Sequence, residues 1–157
     1  MKKTILLFVA CFTTALASAQ TITETDLLGD WKICAFDING IFWDFKSDTV
    51  KLPPELASSL GESQKAAMIA DVKYGLSEYK NGTMVFKKGY YLEQSMAGDE
   101  ASGTYTIEKK GDLYVIKITN DDAKNTVETV GIKLVDDQLH ISMPDEIGGM
   151  TILIFCK

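Results

Sequence analysis

Arginine is absent from this chain. All sixteen basic residues are lysine, set against 22 acidic ones, and the formal charge at pH 7 is -6. Arginine's planar fork is the preferred reader of phosphate and guanine. A net negative surface also repels nucleic acid and anionic lipid. Both facts argue against nucleic-acid binding. Histidine is almost absent too, with His140 alone. One histidine cannot build the usual His-pair zinc site, and cysteines at 11, 34 and 156 lack the close spacing of metal ligands. No G-x-S-x-G elbow occurs, so nothing supports an α/β-hydrolase nucleophile. Neither Cys34 nor Cys156 has a sequence context that would make it a reactive partner for His140. Internal repeats and low-complexity tracts are missing as well. No cofactor is expected, and the chain is not expected to be an enzyme.

Long apolar runs are also scarce, and the exception comes first. Met1-Lys2-Lys3 is a basic start, Thr4 to Leu16 is mostly apolar, and Ala17-Ser18-Ala19 is a small-x-small cleavage site. That pattern reads as a secretory signal peptide cleaved after Ala19, which sends the protein to the periplasm or outside the cell. Phe8-Val9-Ala10-Cys11 loosely resembles a lipobox. The apolar run before it is short, however, and the residues after it are not a polar tether, so lipid anchoring at Cys11 is not expected. Past the leader, no segment approaches the roughly 20 apolar residues that span a bilayer. Cleavage removes Cys11 and two lysines, leaving Cys34 and Cys156 and moving the charge from -6 to -8. The remaining length is one domain, with enough chain to bury a core without metal staples.

The pattern of that domain is β. In "WKICAFDINGIFWDF" the Asn39-Gly40 pair supplies two positive-φ residues of a hairpin turn. Phe36 then faces Trp43, Ile38 faces Ile41 and Cys34 faces Phe45, all on one side of the sheet. Trp31 falls on the opposite parity, which requires a bulge or an external packing partner. Residues of about 54–76 break the pattern. Pro53-Pro54 suits a helix start, and Leu56, Leu60, Met68, Ile69, Val72 and Leu76 supply an apolar stripe. That insertion is expected to plug one end of the barrel or lie over its wall, burying the stripe. From Thr83 onward, short β segments alternate with turns to the end. The expected fold is all-β, an antiparallel up-and-down barrel of about 8–9 strands with the helical insertion after the second strand. The expected organisation is 1–19 signal peptide, 20–26 lead-in and 27–157 barrel.

Gly29-x-Trp31 at the first strand, followed by "YKNGTMVFKKG", "ASGTYTIEKKGDLYVIKI", "VGIKLVDDQLHISM" and "MTILIFCK", resembles the bacterial secreted lipocalin-like domains. The likeness covers about residues 27 to 157 through short, ordered motifs. It implies a small antiparallel barrel and implies little about function. Two departures stand out. A lipocalin normally covers its first-strand tryptophan with a basic residue near the end, and only Lys157 is available here. The helical insertion is more like the lid of a fatty-acid-binding protein.

By strand parity Phe36, Trp43, Phe45, Met84, Phe86, Tyr105, Tyr114 and Ile116 all point inward. An eight-stranded barrel is only just wide enough for its own side chains or one small ligand, so this set serves as a filled core or as the lining of a cavity. In the second case Tyr90, Tyr91, Tyr105 and Tyr114 would supply polar groups to orient a hydrophobic ligand. Two functions therefore stand: a monomeric binder of a small hydrophobic molecule, or a protein–protein interaction module with the barrel as scaffold. His140, between Leu139 and Ile141, is expected to face solvent. The acidic pairs Asp99-Glu100, Asp121-Asp122, Asp136-Asp137 and Asp145-Glu146 read as solvated hairpin tips rather than calcium ligands.

In a closed barrel the first and last strands are neighbours, which brings Cys34 and Cys156 within reach of each other in an oxidising compartment. The two are expected to form a disulfide. Thiol counting on denatured mature protein, purified without reductant, should find no free thiol and a monomer on a non-reducing gel; two thiols per chain would refute the bond.

Overall fold

The computed structural model describes residues 21–122, 124–144 and 148–157. The segment read as a signal peptide, with Cys11, lies outside them, as do Asp145 and Glu146. The hairpin at Asn39-Gly40 forms as its turn residues require, with φ of 53° and 84°. It joins β1 (Gly29–Ile38) to β2 (Ile41–Asp44), and Phe36 pairs with Trp43 and Ile38 with Ile41. A third, short strand, β3 (Thr49–Lys51), lies between that hairpin and the helical insertion. Three residues are too few to produce a readable alternation.

The remaining strands are β4 (Thr83–Lys87), β5 (Tyr91–Met96), β6 (Asp99–Lys110), β7 (Leu113–Asn120), β8 (Val127–Val135), β9 (Gln138–Pro144) and β10 (Met150–Cys156). Each pairs antiparallel with the next, and β10 pairs back onto β1. Eight strands, β1 and β4 to β10, close the barrel. The β2–β3 hairpin extends from one end as a flap. β1 pairs with β10 through residues 32–38; on its other side it pairs with β4 through Gly29–Lys32 and with β2 through Ala35–Ile38.

One bulge makes this possible. Against β10, Ile33 pairs with Phe155 and Ala35 with Ile154, so Cys34 is the extra residue. Before it, Trp31 and Ile33 are buried in the core; after it, Phe36 is. The parity conflict at Trp31 is thereby resolved inward. The same bulge corrects the placement of Cys34, expected on the inner face with Phe36. It is half-buried and bonded to Cys156, which alternates with the inward Phe155 and so lies on the outer wall. The bond spans a Cα–Cα distance of 5.9 Å and a separation of 122 residues. Closing so long a loop stabilises by on the order of 4 to 5 kcal/mol in the chain-entropy account.

Both mouths are filled by the chain itself. At the end where β1 begins, called lower here, the single-turn helix α1 (Glu24–Leu27) drives Leu27 inside at 0% exposure, with Ile22 beside it. The Trp31 indole N–H donates to Leu27 O at 2.6 Å, and the Lys157 ammonium stands 4.5 Å over the Trp31 ring. Lys157 thus supplies the covering cation for which it was the one residue available.

At the upper end the insertion comprises α2 (Pro54–Ser59), α3 (Glu62–Gly75) and a 3-10 helix, Ser77–Asn81. Leu76 and Tyr79 pack against the core, and the Tyr79 ring meets Phe36 edge-on at 5.6 Å. The expected burial of the longer stripe is not found: Leu56, Leu60, Met68, Ile69 and Val72 are only half-buried, and neither α2 nor α3 buries a residue. The last turn does the plugging. What ties α3 to the flap is Asp48, which accepts from Lys73 at 2.7 Å, from Lys80 at 3.4 Å and from the Trp43 indole at 3.2 Å. Leu27→Ala should therefore cost about 2–5 kcal/mol, whereas Met68→Ala should cost less than about 1 kcal/mol, both read from denaturant midpoints.

Candidate functional site

Six of the eight residues expected to line the interior are there, and two lie at the flap. Phe36, Met84, Phe86, Tyr105, Tyr114 and Ile116 belong to one continuous buried cluster, and Phe45 packs against it. Trp43 is also buried but lies outside that cluster, with Phe45 edge-on at 4.7 Å and the Lys80 ammonium 4.7 Å from its ring. The Phe86 and Tyr105 rings meet at 5.2 Å, nearly perpendicular. One polar atom is left over. The Tyr105 hydroxyl has no hydrogen-bond partner among the described residues, and burial, with the nearby Glu24 carboxylate and Tyr90, pushes its pKa up to about 12.

Two spaces large enough for a ligand lie elsewhere. A cleft of about 810 Å3 opens on the upper part of the wall, between β4, β5, β6 and the loop joining β7 to β8. It exists because β6 outruns β7. Their pairing begins at Gly103 with Asn120, so residues 99–102 pair only with β5. Gly103 must be glycine, since a Cβ there would sit 2.2 Å from Thr119 O. Asp121, Asp122 and Thr126 come back over this step. The Asp121 N–H donates to Ser102 O at 2.8 Å, and its carboxylate accepts from the Tyr91 hydroxyl at 3.0 Å. Asp122 closes the loop by accepting from the Thr126 hydroxyl at 2.6 Å and the Thr126 N–H at 2.9 Å. Those bonds hold the Asp122 carboxyl below its ordinary pKa. Behind them the buried Asn120 amide donates to Thr126 Oγ1 at 3.2 Å and to Glu128 at 3.1 Å.

Five carboxylates line this cleft, those of Glu93, Glu100, Asp121, Asp122 and Glu128, and no lysine does. A smaller cleft of about 480 Å3 opens on the lower rim beside Trp31, Asp136, Asp137 and Lys157. Neither is lined by any of those eight residues. The acidic pair Asp121-Asp122, read as a solvated tip, is exposed and also forms part of the wall of the larger cleft. Its partners Glu93, Glu100 and Glu128 come from three strands and share no sequence signal.

His140 also departs from expectation. It stands on the outer side, opposite the buried Leu139 and Ile141, but it is half-buried and its Nε2 is enclosed with no partner among the described residues. Strand neighbours Ile154 and Lys133 flank it.

No protein-family model matches this chain, and no curated protein matches it. A crystal structure of a DUF4847 family protein from Bacteroides vulgatus is similar to it at 12% identity, with a TM-score of 0.44, covering 85% of this chain and 94% of that one.

Burial and the Lys133 charge lower the His140 pKa. Below about pH 6.5 the unfolded chain takes up a proton that the native imidazole resists, so stability falls as pH drops from neutrality. Carboxylates with lowered pKa, such as Asp48 and Asp122, lose their contribution only below about pH 4. The urea midpoint should therefore fall between about pH 7 and 5 in the wild type and fall less in His140→Gln; equal slopes would refute this role for the imidazole.

Proposed function

We propose that this protein is a lipocalin-like, non-enzymatic binding module of an extracytoplasmic compartment. In this reading the barrel is a scaffold and recognition takes place in the cleft on its upper wall. The observation that carries it is the contrast between the two spaces. The interior is occupied by its own aromatic side chains and plugged at both mouths, whereas the upper cleft is open and about 810 Å3. Its five carboxylates and adjacent hydroxyls suit a partner that is cationic and rich in hydrogen-bond donors, such as a lysine-bearing protein segment. The acidic surface would speed the approach of such a partner at low salt. The Cys34–Cys156 bond is consistent with an oxidising compartment and supports the export reading.

A second reading, a small hydrophobic ligand inside the barrel, rests on the partnerless Tyr105 hydroxyl. It requires α1 or the 3-10 helix to withdraw first.

Amide shifts followed by NMR would separate the two readings. A lysine-rich model peptide at low salt should shift the amides of residues 100–102 and 120–122. Glu93→Gln with Glu100→Gln should weaken that binding about tenfold, equivalent to about 1.4 kcal/mol. A fatty acid or hydrophobic dye that instead perturbs Phe86 and Tyr105, with no response to the peptide, would overturn the cleft reading in favour of the interior.

A further inference from the structure

The turn joining β4 to β5 holds two consecutive residues at positive φ, Gly89 at 86° and Tyr90 at 58°. For an aromatic residue that conformation is unusual. It turns the two amide N–H groups toward one point, and both donate to a single oxygen of the Glu24 carboxylate, at 2.7 and 2.8 Å. Successive N–H groups converging in this way form a concavity that binds anions. Glu24 comes from α1, some 65 residues earlier in the chain.

The helix does not need Glu24 for its own capping. Thr23 and Asp26 do that, with the Thr23 N–H and hydroxyl donating to Asp26 at 2.8 and 2.7 Å. The reach to the turn is a separate contact.

A further donor, the Tyr105 hydroxyl on the neighbouring strand β6, is unused. The Tyr105 side chain is 98% buried, at 2% exposure, and its hydroxyl has no partner among the described residues. Its position is tied to the turn. The Tyr105 N–H donates to Tyr90 O at 2.8 Å, and the two rings meet at 5.5 Å. The Phe86 ring closes on Tyr105 from the other side. Next to this polar corner the chain buries Leu27 of α1 at 0% exposure and Ile22, just ahead of the helix, at 6%. A carboxylate and an apolar body are therefore offered to the barrel by one short piece of chain.

We infer that the Gly89–Tyr90 turn, with the Tyr105 hydroxyl, is a binding site for small organic carboxylates with an apolar body, held shut by Glu24 acting as a built-in competitor. A ligand carboxylate would replace Glu24 on the two N–H groups and reach the third donor, which Glu24 leaves idle. Its apolar part would take the ground that Leu27 and Ile22 now cover. α1 leads into β1 through Gly29, whose φ of 118° is a conformation other residues rarely adopt. The site lies at the opposite end of the barrel from the upper cleft and stands or falls without it.

The test is an amide-shift titration of the full mature chain with acetate and then octanoate, in the wild type and in Glu24→Ala. In the variant, the Gly89 and Tyr90 amides should move saturably, with octanoate at least tenfold tighter than acetate. The wild type should need at least tenfold more ligand for the same shift. Adding Tyr105→Phe to Glu24→Ala should weaken octanoate several-fold, and sodium chloride at matched ionic strength should do nothing at these amides. A folded Glu24→Ala protein whose two amides ignore both carboxylates would overturn the proposal, as would equal affinity in wild type and variant or an equal response to chloride. Should Glu24→Ala not fold, Glu24→Gln keeps an oxygen on the turn without its charge, and octanoate must then displace it more readily than it displaces glutamate, or the proposal fails.

Discussion

The first strand has to satisfy three partners at once, and the architecture depends on how it does so. β1 pairs with β10 on one side and on the other hands over from β4 to β2 about half-way along. A strand of strict period two could not send both Trp31 and Phe36 into the same core, because they are five residues apart. The extra residue at Cys34 removes the conflict. It restores an inward face on both sides of the step, bends the strand so that the flap can leave the barrel, and turns the cysteine outward. The disulfide to Cys156 then fastens the bulge to the last strand, at the seam where the barrel closes. Trp31, Leu27 and Lys157 lock the lower end of the same strand, so closure, the bulge and the lower plug are one connected arrangement.

That arrangement uses up the interior. Rings at centroid distances of 5.2 to 5.6 Å, a leucine at 0% exposure below and a tyrosine plug above leave the inner face to packing. Chemistry is displaced to the rims. At the upper rim, unequal strand lengths and a folded-back loop bring carboxylates from three strands together. At the lower rim, a turn with two left-handed residues aims its amides at a borrowed carboxylate. Neither rim feature needs the barrel to be hollow.

The helical insertion follows the same division between packing and polar attachment. Its apolar stripe looked strong enough to demand burial, yet only Leu76 and the following Tyr79 reach the core. The rest of the insertion is moored by Asp48, whose one carboxylate receives two lysines and an indole. Such exposed ion pairs are weak individually, and neither α2 nor α3 buries a residue.

By itself the sequence determined what is local or periodic. Asn39-Gly40 set the hairpin and its register, because only such residues take two consecutive positive φ values cheaply. Alternation put Phe36, Met84, Phe86, Tyr105, Tyr114 and Ile116 inside, and two cysteines on the first and last strands made their bond legible once closure was assumed. What alternation could not decide was anything that breaks or crosses it. A one-residue bulge leaves no mark in the pattern of apolar residues except an unexplained Trp31. A three-residue strand is shorter than the period needed to see it. Glu93, Glu100, Asp121 and Glu128, or Glu24 and Gly89, look alike with every other surface acid and turn glycine. They become a cleft or an anion nest only when strand lengths, shear and loop folding set their distances, and those are properties of the closed sheet, not of any segment in it.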